Sequence, residues 1–259
     1  VDEGLSELER ALERGVRLVA VSAVQYKTGL RMPLAEMAAL CHRYDAEIFV
    51  DAIQALGATP LDVSWGVDYL SSGSHKHLMG PEGAGFLYVA ERCAGALKPR
   101  LAGWLGHKDP VAFLVGDEPR LRYDNPFQLG ARSLETGTSN VIGLAALGAS
   151  IGLLRELSVP AIHAHVEGYL AALEAGLLAR GFESHRAEAS ALRSTLLGVT
   201  VPEDVRLSKL AAALRERGVV CNTPDGLMRF APHWHNAHDE VPAVLDAIDD
   251  ALADLRARA

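Results

Sequence analysis

The chain has 259 residues, of which 49% are hydrophobic, 22% charged and 6% aromatic, and it carries a formal net charge of -8. That length allows one large domain or two ordinary ones, and the composition excludes disordered, collagen-like and coiled-coil classes. The acidic balance lacks the clustered Lys and Arg that a nucleic-acid footprint or a polybasic membrane patch requires, so small-molecule chemistry is the expectation.

Leu5, Leu8, Leu12 and Val16 recur at three- and four-residue spacing among charges and predict an amphipathic helix ending near Gly15. A strand is expected at 17–23. Pro33 opens the next helix, with Leu34, Met37, Ala38 and Cys41 on one face, and Glu47 to Asp51 (EIFVD) reads as a buried strand. Two further short strands are expected at 68–72 and 85–89, separated by a loop rich in Gly and His. This alternation predicts an α/β domain with a mostly parallel sheet. Residues 98–130 show no clean period and read as a long functional loop region; an aromatic-rich loop would suit a bulky substrate, and the sequence leaves open whether Trp104, His107 or Tyr123 enters a pocket.

Helices are expected at 140–157 and 160–180, then a strand near 194–201, a helix near 207–217, strands at 219–221 and 227–231, and a closing helix from Asp239. The division that follows is 1–155 for a large domain and 156–259 for a small α+β domain. The apolar run from Val141 to Leu154 falls short of the ~20 residues of a membrane span and reads as a buried helix. Residues 2–17 carry charges at helical spacing, unlike a signal peptide. Cys41, Cys93 and Cys221 are odd in number and far apart, which argues against disulfides and structural zinc and makes a reducing cytoplasm the expected compartment.

The most informative stretch begins at Asp51, at the end of a buried apolar strand, where ligands of open α/β sheets sit. A carboxylate there can pair with a protonated ring nitrogen and make the ring an electron sink. Lys76, in Gly73-Ser-His-Lys-His-Leu-Met-Gly-Pro-Glu-Gly83, could form a Schiff base once partly desolvated. Pyridoxal phosphate needs both partners. Taken singly, Asp51 is as readily a helix cap, Lys76 a solvated side chain, Thr138 an N-cap and Arg229 one half of a structural ion pair. His233, His235 and His238, with His75 and His77, raise metal ligation as a rival, but no Cys or acidic partner lies at metal-site spacing nearby, so no metal is expected.

Four segments together, VDAIQALGATPLDV (50–63), DYLSSGSHKHLMGPEGAGFLYV (68–89), ARSLETGTSN (131–140) and LMRFAPHWHN (227–236), resemble the class V aminotransferase family of pyridoxal-phosphate enzymes, the fold-type-I group that includes cysteine desulfurases and isopenicillin-N-epimerase-like proteins. The resemblance implies that Lys76 is the Schiff-base lysine, that Asp51 pairs with the pyridine nitrogen and that Gln54 bonds the cofactor's phenolic oxygen. It further implies that Ser74 and His75 contact the phosphate, that Thr138 reaches a phosphate across a homodimer interface, and that Arg229 holds the substrate carboxylate. After substrate displaces it, Lys76 would move the Cα proton.

The expected function is therefore a pyridoxal-phosphate enzyme of class V aminotransferase type acting on a small amino acid. A desulfurase, carbon–sulfur lyase or epimerase on the same scaffold is the alternative, and a cofactor-free interaction module the alternative of another class. The chain opens on Val1, and the resemblance places the ring-stacking residue and the phosphate-binding turn in a part that precedes it. Gln25 and Tyr26 stand where desulfurases carry Ser-Asn. Cys221, near Arg229 but outside the desulfurase His-Cys pattern, reads as a small buried strand residue rather than a nucleophile.

Overall fold

A computed structural model describes residues 2–115 and 124–257. The first half is built on a four-stranded sheet of order β1-β2-β3-β4. Helix α1 (Asp2–Leu12) leads into β1 (Leu18–Ser22), and α2 (Leu34–Arg43) connects to β2 (Glu47–Asp51). Strand β3 (Tyr69–Gly73) runs parallel to β2, and β4 (Gly85–Val89) returns antiparallel, followed by the short α3 (Glu91–Ala94). The register aligns Ser22 with Asp51 and Asp51 with Ser71, so the carboxyl ends of three parallel strands form one edge.

The buried face of α2 (Leu34, Met37, Ala38, Leu40, Cys41) packs over Ile48, Val50 and Leu70 of the sheet. Acidic Glu36 lies in its first turn and His42 and Arg43 in its last, the arrangement the helix dipole favours. Asp68, buried just ahead of β3, ties these elements together. Its carboxylate accepts from the Ile48 N–H at 2.8 Å, Arg92 Nε at 2.8 Å and the Cys93 thiol at 3.1 Å, and lies 2.9 Å from His42 Nε2. Burial pushes its pKa up, but the His42, Ile48, Cys93 and Arg92 contacts outweigh that and hold it below the usual carboxylate value.

After α4 (Pro110–Val115) and a 3-10 turn at 130–134, Asn140 caps α5 (Val141–Leu157), its side chain accepting from the Gly143 N–H at 3.0 Å. A break at Ser158 bends the chain by 74° into α6 (Val159–Leu178). Among the described residues no single helix is long and apolar enough to cross a membrane. A second sheet, of order β5-β6-β7, is antiparallel: β5 (Glu183–Ser184), β6 (Leu197–Thr200) and β7 (Met228–Phe230), with α7 (Leu207–Glu216) and α8 (Glu240–Ala257) against it. Leu170, Leu173, Leu177, Leu197, Leu210, Leu214, Met228 and Ile248 are its buried core, which also takes in Leu147 and Leu154 of α5.

Three elements depart from the sequence expectations. The strand expected at 194–201 starts only at Leu197, because the preceding residues turn to meet the loop after β1: Ser194 donates to the Gly29 carbonyl at 2.6 Å and the Arg31 N–H to Leu192 at 2.9 Å. No strand forms at 219–221, where pairing with β7 is reduced to an Asn222–Arg229 bridge. The 98–130 region is not wholly irregular, since it holds α4 and a 3-10 turn at 104–106. Tyr123 lies outside the described residues.

The loop after β1 presses closely on the second sheet. A Cβ on Gly29, which has φ +76, would lie 2.5 Å from the Leu196 carbonyl, and one on Gly198 would lie 2.6 Å from the Lys27 carbonyl. Only glycine permits both approaches.

Candidate active site

Lys76 sits in the turn between β3 and β4, above the carboxyl edge of the sheet. The turn is tightly self-bonded. The N–H groups of Ser74, Met79 and Gly80 bond the carbonyls of Ala84, Lys76 and Ser74 at 3.0, 2.8 and 2.8 Å, and the buried Ser74 hydroxyl donates to the Pro81 carbonyl. Met79 takes a left-handed conformation, φ +55, to complete it. The exposed neighbour His75 lays its ring beside Gly73.

A cleft of about 300 Å³ opens beside the lysine, lined by Gln54, Lys76, His77, Met79, Asn222, Arg229, Ala231, His233 and His235. Three of the predicted site residues, Gln54, Lys76 and Arg229, therefore meet in one place although 175 positions separate the outer two. Arg229, on β7, lies with its guanidinium carbon 4.2 Å from the centre of the Tyr26 ring, and Lys76 Nζ lies 5.6 Å from the same ring. One guanidinium nitrogen donates to the Tyr26 carbonyl at 3.0 Å, while the buried Nε has no protein partner.

Burial and the Arg229 charge lower the Lys76 pKa, and the Asp51 carboxylate acts in the opposite direction. Asp51 ends β2 and accepts the Ile53 N–H on Oδ1 at 3.0 Å, so it caps the turn and addresses the lysine together. Burial lowers the Arg229 pKa as well, with Tyr26 opposing.

The remaining candidates are placed differently. Ser74 spends its hydroxyl inside the turn, so of the Ser74–His75 pair only His75 is presented at the surface. Thr138 is exposed on the segment leading into α5 and does not line the cleft. His107 stacks on Phe127 at 4.8 Å, and neither it nor Trp104 lines the cleft. Cys221 is half-buried against the second core, its thiol pKa raised by desolvation, and it too is absent from the lining.

Tyr26, His77, Asn222, His233 and His235 were not among the expected site residues. The histidines were visible as H-K-H and H-W-H but considered only as metal ligands. Among the described residues no three His, Cys, Asp or Glu side chains converge on a metal position. The rings stack instead, His77 on His233 at 5.6 Å and His233 on His235 at 5.9 Å. Burial and the neighbouring cationic groups push the His77 pKa down to about 4.

With a carboxylate at the sheet edge, a lysine of lowered pKa and an arginine sharing its cleft, the chain has the parts of a fold-type-I pyridoxal-phosphate enzyme. It belongs to the class V aminotransferase family, whose model, "Aminotransferase class-V", matches residues 2–228. The chain is similar to the uncharacterized aminotransferase YcbU of Bacillus subtilis, with 30% identity over 245 residues covering 94% of this chain and 62% of that protein. It is similar also to a probable cysteine desulfurase of Chlamydia trachomatis, with 31% identity over 268 residues covering 97% and 64%.

In fold it matches the apo cysteine desulfurase of Thermococcus onnurineus NA1, with a TM-score of 0.84, 22% identity and coverage of 95% and 62%. A mutant of the lyase C-DES, described as carrying glycine covalently linked to its PLP cofactor, gives a TM-score of 0.80, 25% identity and coverage of 94% and 63%. The chain thus spans less than two thirds of the length of each of these proteins. The cofactor that this family membership indicates is pyridoxal phosphate.

Proposed function

We propose that this chain is the lysine-bearing part of an enzyme that uses pyridoxal 5'-phosphate, attached at Lys76, to move the Cα proton and the amino group of a small amino acid. The observation that carries the reading is the convergence of Lys76 and Arg229 on the Tyr26 ring in one cleft, with Asp51 acting on the lysine. The residues fit the group: the lysine is partly desolvated and Arg229 keeps a buried, unpartnered Nε.

Bound pyridoxal phosphate supplies a ring that stabilises negative charge developing at the substrate's Cα. Asp51 would hold the ring nitrogen in its protonated form, and Gln54, buried in the turn after β2, would offer an amide to the phenolic oxygen. His75, exposed beside the sheet edge, and Thr138 are the side chains available to a phosphate. The lowered pKa of Lys76 increases the fraction of neutral amine that can take the Cα proton. Arg229 holds the substrate carboxylate with a planar fork that lysine cannot reproduce.

Amino transfer is favoured over desulfuration because Cys221 lies outside the cleft and its thiol is the less ionised for being buried. The reading includes a second copy of the chain, since Thr138 stands on an apolar exposed face that includes Leu134, Val141 and Ile142. The test is to supply amino acids with and without a keto acid. Keto-acid-dependent amino transfer, unchanged in Cys221→Ala, supports the proposal. Sulfide and alanine release from cysteine that is lost in Cys221→Ala would replace it with the desulfurase reading.

A further inference from the structure

The turn that carries Lys76 is also held from outside. Its Met79 carbonyl accepts from the Ser150 hydroxyl of α5 at 3.0 Å, and its His77 carbonyl lies 3.0 Å from His233 Nε2. His233 follows Arg229 by four residues on the segment that leaves β7. Its other ring nitrogen, Nδ1, accepts the Trp234 backbone N–H at 2.9 Å. A backbone N–H can only donate and a carbonyl can only accept, so both contacts are satisfied together by one form alone: the neutral imidazole with its proton on Nε2. Trp234 adds a second tie, its indole N–H lying 3.0 Å from Met79 Sδ.

The His77 carbonyl is confined on its other side too. Gly57, with φ +99, approaches so closely that a Cβ there would lie 2.2 Å from that oxygen. One oxygen is therefore the meeting point of the lysine turn, the turn that carries Gln54, and the segment that carries Arg229. An amino acid separates its Cα from its carboxylate by a single bond, so it has no slack with which to absorb a shift of Lys76 relative to Arg229. A displacement of about 1 Å in such a pair costs as much as 100-fold in rate.

We propose that His233 is a positioning residue: its Nε2–H bond to the His77 carbonyl sets the spacing between the Lys76 amine and the Arg229 guanidinium. The inference rests on the functional reading above. Its test uses the cofactor-loaded enzyme and three variants. His233→Gln keeps an N–H near Nε2, His233→Asn has a carboxamide that reaches only as far as Nδ1 and leaves the His77 carbonyl without its donor, and His233→Phe keeps the ring volume with neither.

Cofactor on Lys76 is first measured in each by borohydride reduction and peptide mass, and the pH midpoint of the visible cofactor band is titrated. The expected result is that the Gln variant matches its parent in midpoint and kcat. The Asn and Phe variants keep their cofactor, shift the midpoint and lose roughly 10- to 100-fold in kcat. If the Phe variant does not fold, the Gln and Asn pair decides. A Gln variant as impaired as Asn, or an Asn variant equal to its parent, overturns the inference. A parent protein that takes no cofactor on Lys76 overturns the functional reading itself and this inference with it.

Discussion

The turn around Lys76 and the face formed by residues 127–144 are joined by a single described side-chain bond, from Asn140 to the Gly83 carbonyl at 3.1 Å, yet they are built on opposite principles. In the turn, the carbonyls of Ser74, Lys76, His77 and Met79 are each engaged, and Gly57 and Gly80 leave no room for a Cβ without displacing a neighbour. On the face, Leu129 is 71% exposed, Val141 69% and Ile142 85%, although α5 is among the most apolar segments of the chain. The lysine turn is thus fixed from within the chain, whereas the face is left with apolar surface of the kind that marks an interaction site.

The contrast is broken most severely at the lysine. Lys76→Ala is expected to lower turnover on the order of 10²–10⁴-fold while leaving thermal unfolding unchanged, since the lysine is partly exposed and the turn is held by other groups. Loss of folding with loss of activity would mean that the turn depends on the lysine itself.

Asp68 tests the fixed side structurally. Asp68→Ala strands the Ile48 N–H and the Cys93 thiol and should cost about 2–4 kcal/mol in urea unfolding. Because its folded pKa is depressed, the stability it contributes is present above its unfolded pKa, about 3.9, and is lost as pH falls through the lower folded value. The acid limb of the stability profile should flatten in Asp68→Asn, and an unchanged limb would assign it to other carboxylates.

Arg229→Lys keeps the charge but loses the planar fork. Steady-state kinetics should show kcat/KM lowered by about 10- to 100-fold, mostly through KM. The smallest effect on folding belongs to the open face. Ile142→Asp should change stability by no more than about 0.5 kcal/mol and yet convert a dimer to a monomer in light scattering. A parent protein that is already monomeric removes Thr138 from the site.

Much of this was legible in the sequence, and for specific reasons. Strand β2 was visible because EIFVD is a short apolar run ended by a carboxylate, and α2 because Pro33 precedes a face at helical spacing. The break between α5 and α6 fell where expected, at Ser158, whose φ of 69 no helix accommodates. Illegible were features that depend on distant chain. Strand β6 is shortened because Ser194 and Leu196 are drawn to the loop at Gly29, a contact with no local signature.

In sequence Tyr26 is only a departure from a motif, because its contact with both Lys76 and Arg229 requires the loop after β1 and β7 to be brought together. The resemblance implies a phosphate contact for Ser74, but the turn closed by the left-handed Met79 engages its hydroxyl with the Pro81 carbonyl. Histidine spacing suggested ligands, whereas the fold stacks the rings and uses one of them as a donor to the lysine turn.

The central claim is that Lys76 alone carries the cofactor. Incubation with pyridoxal 5'-phosphate, borohydride reduction and peptide mass mapping test it directly. One phosphopyridoxyl adduct is expected, on the peptide containing Lys76, absent from Lys76→Ala. An adduct on Lys27, Lys98, Lys108 or Lys209 instead, or none at all, would contradict it.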